Sequence, residues 1–227
     1  MHEEELKKDL EEIHNHNFEE EPENNWKGPL KWIAGIFLVL IVITWIVPHY
    51  GIKLDPSPGS IPSYDEVVPD FEAGNVTKVS AYSDINKIMM PNDETVKGVA
   101  DRIVSASCNG ERVCNAKAIF RFVKENMEYV NDPLAYEYIK SPKETLKVRV
   151  GDCDDGSTLL ANLLQAVGIR TRFVFVPEHV FVQAYMPEAL SRYKREEWVS
   201  MDVTCESCGF GEESYIYSKS ERQYLEV

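Results

Sequence analysis

Basic residues are scarce in this chain, and their scarcity restricts what the protein can bind. The 227 residues hold 24 Lys and Arg against 38 Asp and Glu, which gives a formal net charge of −14. Nucleic-acid-binding proteins cluster their cations on one face. No such cluster is visible, so a nucleic-acid partner is excluded. Internal repeats are also absent, while 44% of the residues are hydrophobic, which is typical of a globular protein and not of a disordered one.

Apolar residues are too few in the first segment to build a core. Residues 1–29 carry half of the net negative charge, and Leu6, Leu10 and Ile13 form only one short apolar stripe. A segment of this composition stays solvated. We therefore expect residues 1–29 to form an acidic tail.

Charged side chains are missing altogether from Trp32 to Tyr50. This run is close to the roughly 20 apolar residues that a helix needs to cross a bilayer, and Trp32 and Trp45 lie near its ends, where indole rings favour the interface. Pro48 is expected to end the helix. A cleaved signal peptide fits poorly, because the preceding segment is long and acidic and no A-x-A-like site follows. We predict that residues 30–50 form a transmembrane helix in contact with the lipid bilayer, with a buried soluble helix as the alternative.

The cations beside this run indicate its orientation. Lys27 and Lys31 precede the run, whereas Lys53 alone follows it closely. Because Lys and Arg near a span remain on the cytoplasmic side, the bias predicts a single-pass protein of the cell membrane. Its N-terminus would be cytoplasmic and its C-terminal domain extracellular.

A proline-rich linker is predicted at residues 51–75. Its prolines are Pro56, Pro58, Pro62 and Pro69. Prolines at this density favour an extended, semi-rigid spacer, of which about fifteen residues at about 3.1 Å each would hold a domain roughly 45 Å from the bilayer. The globular domain is expected to occupy residues 76–227.

Helix signals come first in the globular segment, and strand signals follow. Helices are predicted after the cap Asn92-Asp93-Glu94, from Asn115 to Met127, after the capping box Ser141-Pro142-Lys143-Glu144, and after Gly151-Asp152-Cys153-Asp154-Asp155-Gly156, where the leucine-rich helix ends at Gly168. Strands are predicted at Thr171–Val176, His179–Met186 and Trp198–Val203. This order is typical of an α+β fold, with N-terminal helices packed on an antiparallel sheet.

Cys153 is expected in the first turn of the leucine-rich helix. The unpaired N–H groups of a helix N-terminus carry partial positive charge. They are expected to lower the pKa of the thiol and to favour the nucleophilic thiolate. The neighbouring Asp152, Asp154 and Asp155 act in the opposite direction.

A thiolate nucleophile needs a base, and His179 is the one histidine of the globular segment. It opens the second predicted strand. Asp202 ends the third predicted strand, WVSMD, where an unpaired carboxylate would be costly to bury. An imidazole N–H on the adjacent strand would remove that cost. A structural histidine and a solvent-exposed aspartate are the simpler alternatives.

Short motifs link these three candidate residues. They are Gly151-Asp152-Cys153, Gly168-Ile169-Arg170-Thr171-Arg172, His179-Val180-Phe181-Val182, Trp198 and Met201-Asp202-Val203-Thr204. Over about residues 95–210 their order and spacing resemble the transglutaminase-like division of the papain-like cysteine enzymes. The resemblance implies a papain-like/transglutaminase-like fold, with Cys153 as nucleophile, His179 as general base and acid, and Asp202 as the residue that orients the imidazole. It also implies acyl transfer through a thioester on a protein or peptide substrate, without a cofactor.

Three interpretations of the function stay open, of which the third is a scaffold stabilised by zinc on the four cysteines other than Cys153. The first is a membrane-anchored cysteine enzyme, which is a peptidase or amidase if water accepts the acyl group and a transglutaminase if an amine does. The second is a non-catalytic transglutaminase-like ectodomain that binds peptide or cell-surface material, since inactive members with an intact fold occur in this superfamily. The usual side-chain oxyanion donor upstream of Cys153 is not identifiable in the sequence, which leaves the backbone N–H of Cys153 as the candidate donor.

The other four cysteines allow three interpretations. Outside the cell, disulfides are permitted, and the local pairs Cys108–Cys114 and Cys205–Cys208 are the simplest connectivity. Cys153 would then be the free thiol. The alternatives are a zinc site formed by Cys108, Cys114, Cys205 and Cys208, and four unpaired thiols.

Overall fold

The computed structural model describes residues 7–8, 27–74, 79–132 and 138–227, and divides the chain into units Met1–Tyr50 and Gly51–Val227. One long helix, α1 (Lys27–Leu54), contains the apolar run. The stretch Gly28–Trp45 of this helix is long and apolar enough to cross a membrane, and none of its residues is buried within the protein. The predicted helix end at Pro48 is wrong, because α1 continues to Leu54. A proline removes one helical hydrogen bond and bends the axis, but the helix can continue beyond it.

The proline-rich segment that follows α1 is packed on the globular unit from Asp55 onward. The amide of Gly59 donates to the carbonyl of Ser107 at 3.0 Å, and the hydroxyl of Tyr64 donates to the carbonyl of Leu146. Val67 is 2% exposed and belongs to the main core. The prediction of an extended spacer is therefore wrong for residues 55–74, because prolines restrict the backbone without preventing apolar side chains from reaching a core.

The described part of residues 27–227 has eight helical segments: the 3₁₀ turn Tyr215–Tyr217 comes late in the chain, and the other seven precede the main sheet. They are α1, α2 (Tyr64–Val67), a 3₁₀ turn (Tyr82–Lys87), α3 (Glu94–Ser107), α4 (Arg112–Asn126), α5 (Pro142–Val148) and α6 (Cys153–Ala166). Asp93 caps α3 by accepting from the amides of Thr95 and Val96, and Ser141 caps α5 in the predicted capping box. Helix α4 begins three residues before the predicted start at Asn115.

Helix α6 is the central helix of the fold. Every residue from Asp154 to Leu164 is buried, since α6 contacts α3, α4 and α5 as well as strands of the sheet. Leu160, Leu163 and Leu164 are fully buried. The predicted leucine stripe is thus only part of the buried surface of α6, which is covered by other elements on every side.

The main sheet has five strands in the order β5-β6-β4-β3-β7, and the neighbouring strands are antiparallel. Its strands are β3 (Thr171–Val176), β4 (His179–Tyr185), β5 (Lys194–Arg195), β6 (Trp198–Met201) and β7 (Gln223–Glu226). Two short parallel strands, β1 (Glu128–Tyr129) and β2 (Val150–Gly151), pair separately before α6. The predicted α+β class with an antiparallel sheet is confirmed, whereas β5 and β7 were not predicted.

The hairpin between β3 and β4 fixes the start of β4. Val176 pairs with His179, so a two-residue turn of Pro177 and Glu178 joins the strands, and Glu178 adopts a positive φ of 61°. On the other side of β4, Val182 pairs with Met201. Together these registers place the first residue of β4 close to the end of β6.

Candidate active site

Cys153 is the first residue of α6 and follows the N-terminal cap Asp152. Its thiol is half-buried and is not part of a disulfide. Gly151 precedes the cap, and a Cβ at this position would lie 2.5 Å from a carboxylate oxygen of Asp155. The glycine is thus required because the buried Asp155 carboxylate lies directly against the backbone that leads into Cys153.

Burial controls the acidity of the Cys153 thiol. It raises the pKa to about 12, and the negative charges of Asp152 and Asp154 act in the same direction. Hydrogen bonds from the backbone amides of Val180 and of Cys153 itself lower the pKa but do not compensate. The prediction of a lowered thiol pKa is therefore wrong for the thiol by itself, because the cost of desolvating a thiolate exceeds the stabilisation by the helix N-terminus.

His179 and Asp202 form a direct hydrogen bond. The distance from His179 Nε2 to Asp202 Oδ2 is 2.8 Å. Nε2 is consequently engaged by the carboxylate, which leaves Nδ1 as the ring nitrogen that can serve a thiol. The imidazole also stacks on the ring of Tyr217, with a centroid distance of 4.8 Å and an interplanar angle of 14°.

Asp202 is buried with only 1% of its surface exposed. Its Oδ1 accepts from the amide and the hydroxyl of Thr204 at 3.1 and 3.0 Å, and from the amide of Cys205 at 3.0 Å. Burial opposes ionisation, but the hydrogen bond and charge of His179 together with these donors outweigh it and lower the pKa of Asp202. The carboxylate is therefore held ionised and oriented. Its hydrogen bonds offset the cost of burying a charge at the end of an apolar strand.

Close packing brings α6 to the ends of β4 and β6. The hydroxyl of Ser157 in α6 donates to the carbonyl of Val180 in β4 at 3.1 Å. Gly156 lies against Val203, where an added Cβ would come within 2.9 Å of a Val203 methyl group. The three predicted site residues are thus held by three elements that converge at one end of the sheet.

Two tyrosines near the site were not predicted. The ring of Tyr217 covers His179, and burial followed by the charges of Asp202 and Cys153 raises the pKa of Tyr217. Tyr129 lies in β1, level with Gly151, and burial followed by the charge of Cys153 raises its pKa. Both tyrosines lie outside the sequence motifs that contain Cys153, His179 and Asp202. No local sequence pattern therefore indicated that they belong to the site.

A buried ion pair supports the loop before α6. Asp155 is fully buried and accepts from the backbone amide of Lys140 at 2.6 Å and from its Nζ at 2.5 Å. Burial nevertheless raises the pKa of Asp155. This carboxylate therefore acts as a structural anchor for the turn into Cys153.

Two groups of side chains in the described part of the chain have donor atoms close enough to share a metal ion. The first comprises Asp152, Asp154 and Asp155, of which Asp155 is engaged by Lys140. The second comprises Asp202, Cys205 and Cys208, whose two sulfur atoms are joined in a disulfide. Neither group carries an argument for a bound metal.

The four remaining cysteines form two local disulfides, Cys108–Cys114 and Cys205–Cys208. This is the simplest of the predicted pairings. The zinc alternative for these four residues is wrong in this structure, because a disulfide sulfur is not the thiolate ligand that zinc requires.

Comparison with known proteins identifies the fold around this site. Residues 97–203 match the model of the Transglutaminase-like superfamily, and the match includes Cys153, His179 and Asp202. The chain therefore carries a transglutaminase-like domain. No curated protein matches the sequence.

Solved structures show more distant similarity. A candidate cysteine protease from Cytophaga hutchinsonii is 20% identical, with a TM-score of 0.39 over 55% of this chain and 43% of that one. A candidate protease from Parabacteroides distasonis is 17% identical, with a TM-score of 0.37 over 45% of this chain and 23% of that one. LapG from Legionella pneumophila is 18% identical, with a TM-score of 0.36 over 56% of this chain and 75% of that one. The chain thus spans less than half of the first two structures.

Proposed function

We propose that this protein is a membrane-anchored cysteine enzyme that transfers acyl groups from amide bonds. The observation that carries the proposal is the 2.8 Å hydrogen bond between His179 and the buried Asp202, at the end of the sheet where α6 presents the free thiol of Cys153. A nucleophile, a base and a group that orients the base are the components of a catalytic triad.

The proposed reaction has two stages. Nδ1 of His179 takes the thiol proton while Cys153 Sγ attacks the amide carbonyl, and the imidazolium then protonates the leaving amine as the C–N bond breaks. The acyl group remains on Cys153 as a thioester. In the second stage water or an amine attacks the thioester, His179 takes its proton, and the thiol is restored. Water yields hydrolysis of a protein or peptide substrate, and an amine yields transamidation.

The raised pKa of the thiol determines what the base must do. A thiol with a pKa of about 12 is almost entirely protonated at neutral pH, so an activated thiolate must form as an ion pair with the His179 imidazolium. Asp202 stabilises that imidazolium through its hydrogen bond and negative charge. The backbone N–H of Cys153, at the start of α6, is the proposed donor to the oxyanion that forms on the carbonyl.

The proposed location follows from α1 and the disulfides. Residues 30–50 would anchor the protein in the bilayer, with an acidic tail of residues 1–29 in the cytoplasm. Residues 51–227 would then lie outside the cell, where the two disulfides are stable. The charge bias of Lys27 and Lys31 against Lys53 supports this orientation.

A non-catalytic domain that binds peptide or cell-surface material is the second candidate. The high pKa of Cys153 favours it, because an unreactive buried thiol would have the same property. The two candidates differ in whether Cys153 can carry an acyl group.

An acylation experiment separates these two functions. The full-length protein in detergent is treated with p-nitrophenyl acetate, a small activated acyl donor, and nitrophenolate release is followed together with the mass of the peptide that contains Cys153. We expect a stoichiometric burst and an acetyl group on Cys153 that is lost with time or on addition of an amine. Cys153→Ala should show no burst. A wild-type protein without a burst above the Cys153→Ala background would contradict the enzymatic proposal.

A further inference from the structure

The ring that stacks on His179 comes from outside the matched family segment. Tyr217 ends a 3₁₀ turn, Tyr215–Tyr217, that follows β6 in the chain, whereas the family match ends at residue 203. The interplanar angle of 14° at a centroid distance of 4.8 Å is a face-to-face arrangement of phenol and imidazole. The C-terminal segment therefore adds a contact to the base that the motifs do not include.

Tyr217 is itself firmly placed. Its ring packs against a small apolar cluster of Val174, Val176 and Phe181, which lies on β3 and β4 beside His179. The two neighbours of Tyr217 within the turn, Tyr215 and Ile216, are 84% and 78% exposed. Of the three side chains in this turn, only Tyr217 is thus directed towards the site.

An ion pair and several hydrogen bonds hold the segment that carries Tyr217. Arg222 pairs with Glu213 through two hydrogen bonds of 3.1 and 2.7 Å, and it also donates to the carbonyl of Tyr217 at 3.3 Å. The hydroxyl of Ser200 in β6 donates to Glu213 at 3.4 Å. Strand β7 then pairs with β3, so the turn is tied to the sheet on both sides.

We propose that Tyr217 is a positioning residue for the candidate catalytic base. Its ring holds the His179 imidazole in the plane in which Nε2 faces Asp202 and Nδ1 remains available for Cys153, and its π-face stabilises the imidazolium form. This inference rests on the proposed function of Cys153 and His179. The aromatic ring, and not the hydroxyl, supplies both effects.

The Tyr217 ring acts on the His179 imidazole in two ways. A ring stacked on both the base and an apolar cluster adds a second restraint on rotation of the imidazole, beside the hydrogen bond to Asp202. A cation over an aromatic face is also attracted by the negative charge density of the ring. Since the Cys153 thiolate must form as a partner of the imidazolium, the loss of the ring should reduce the thiolate fraction.

Other titratable groups around Tyr217 and Cys153 are alternative causes of a pH effect. Asp202, Cys153 and Glu178 act on Tyr217, while Asp152 and Asp154 act on Cys153. Tyr129 is also coupled to Cys153 and Asp152. All of them remain unchanged when only the ring of Tyr217 is replaced, so a comparison of Tyr217 variants isolates the effect of that ring.

The test measures the pH profile of Cys153 alkylation by iodoacetamide in the full-length protein in detergent. Four proteins are compared: wild type, Tyr217→Phe, Tyr217→Leu and the surface control Tyr215→Leu. We expect Tyr217→Phe and Tyr215→Leu to match wild type. Tyr217→Leu should be alkylated about three- to tenfold more slowly near pH 7, the size expected for the loss of an aromatic stack, with its profile displaced to higher pH.

Each other outcome contradicts the inference in a recognisable way. A Tyr217→Leu profile equal to wild type, with rapid alkylation of both, would overturn the role of Tyr217 and leave the proposed function intact. Slow alkylation of the wild type itself would overturn both. An equal loss in Tyr217→Phe and Tyr217→Leu would assign the effect to the hydroxyl and would also overturn the inference, and thermal unfolding of each variant identifies any loss caused by misfolding.

Discussion

At the residue scale, Asp202 is a buried carboxylate held by several hydrogen-bond donors. Its two oxygens accept hydrogen bonds from His179, Thr204 and Cys205, so the carboxylate is satisfied without water. A buried charge with this number of partners fixes the tautomer and orientation of the imidazole. The proposed role of His179 therefore depends on the Asp202 carboxylate.

Replacing Asp202 by Asn should disable the site while preserving its shape. An amide nitrogen facing Nε2 favours the wrong imidazole tautomer, with a loss that could approach about 10⁴-fold by the precedent of serine proteases. We expect nitrophenyl acetate turnover to fall by at least tenfold. Circular dichroism should show an intact fold, and wild-type turnover in Asp202→Asn would contradict the role of this carboxylate.

Asp202 also predicts how stability changes with pH. Because its pKa is lower in the folded protein, its contribution to stability is present above the unfolded Asp pKa of about 3.9 and is lost as pH falls through the folded pKa. The free energy of unfolding should therefore fall more steeply for wild type than for Asp202→Asn as the pH is lowered from 5 towards 2. Equal slopes in urea titrations of the two proteins would contradict the lowered pKa.

At the scale of the elements, the position of the first turn of α6 depends on close packing at Gly156. Gly156 allows this turn to approach Val203, next to Asp202, while Met127 closes the other side. Helical glycines usually lower stability relative to alanine, so this glycine is retained for packing. The approach of α6 to the sheet is what brings the Cys153 thiol to the end of β4.

A matched pair of glycine variants tests that packing. Gly156→Ala should destabilise the protein by about 1–3 kcal/mol, because its Cβ would lie 2.7 Å from Met127 Cε and 2.9 Å from Val203 Cγ2. Gly98→Ala in α3 meets nothing within 4 Å and should stabilise by about 0.5–1 kcal/mol. Unfolding in urea measures both. A stabilising Gly156→Ala would show that α6 and Val203 are not in close contact.

The loop closed by Cys205–Cys208 is the second element that supports the site. The Cys205 amide donates to Asp202, and Nζ of Lys124 donates to the carbonyls of Cys205, Glu206 and Cys208 at 2.7, 3.0 and 2.6 Å. This cation therefore organises three carbonyls that would otherwise repel one another.

Removal of each disulfide should have different consequences. Replacing Cys205 and Cys208 by Ser should lower both thermal stability and the alkylation rate of Cys153, because the loop that holds Asp202 is loosened. Replacing Cys108 and Cys114 by Ser should lower stability alone, since that bridge joins α3 to α4. If both double variants affected the alkylation rate equally, the loop would have no specific role.

Local patterns predicted much of this architecture. The leucine-rich helix, the β3–β4 hairpin and β6 follow from periodicity and turn residues, and the order of Cys153, His179 and Asp202 follows from a local motif. Tyr217, β7 and the packing of Val67 could not be predicted in this way, since each depends on contacts between distant segments. The raised pKa of Cys153 is likewise a product of tertiary burial.

At the scale of the whole molecule, the segment after α1 is part of the globular unit. Asp55 pairs with the buried Lys117 and with Arg192, and accepts from the hydroxyl of Tyr193 at 3.0 Å. The cation of Lys117 also lies 4.8 Å from the ring centroid of Tyr193. Residues beyond position 54 thus supply both a charge and apolar side chains to the fold.

Two truncations test this extended boundary. Residues 51–227 should unfold cooperatively. Residues 76–227 should have a free energy of unfolding lower by about 3 kcal/mol or more, because the truncation removes the buried side chains of two valines, Val67 and Val68. Loss of Asp55 would also leave Lys117 buried without its partner. Equal midpoints in urea would show that the segment contributes nothing to stability.

The central claim is that His179 activates Cys153, and the most direct test is the alkylation rate of Cys153 by iodoacetamide near pH 7 in full-length wild type and in His179→Ala. The account predicts rapid, selective alkylation of the wild-type thiol. In His179→Ala the rate should fall below that of an ordinary exposed thiol, because the buried thiol would keep its raised pKa without a partner cation. A wild-type thiol that reacts no faster than an exposed cysteine, and equally fast with and without His179, would contradict the account.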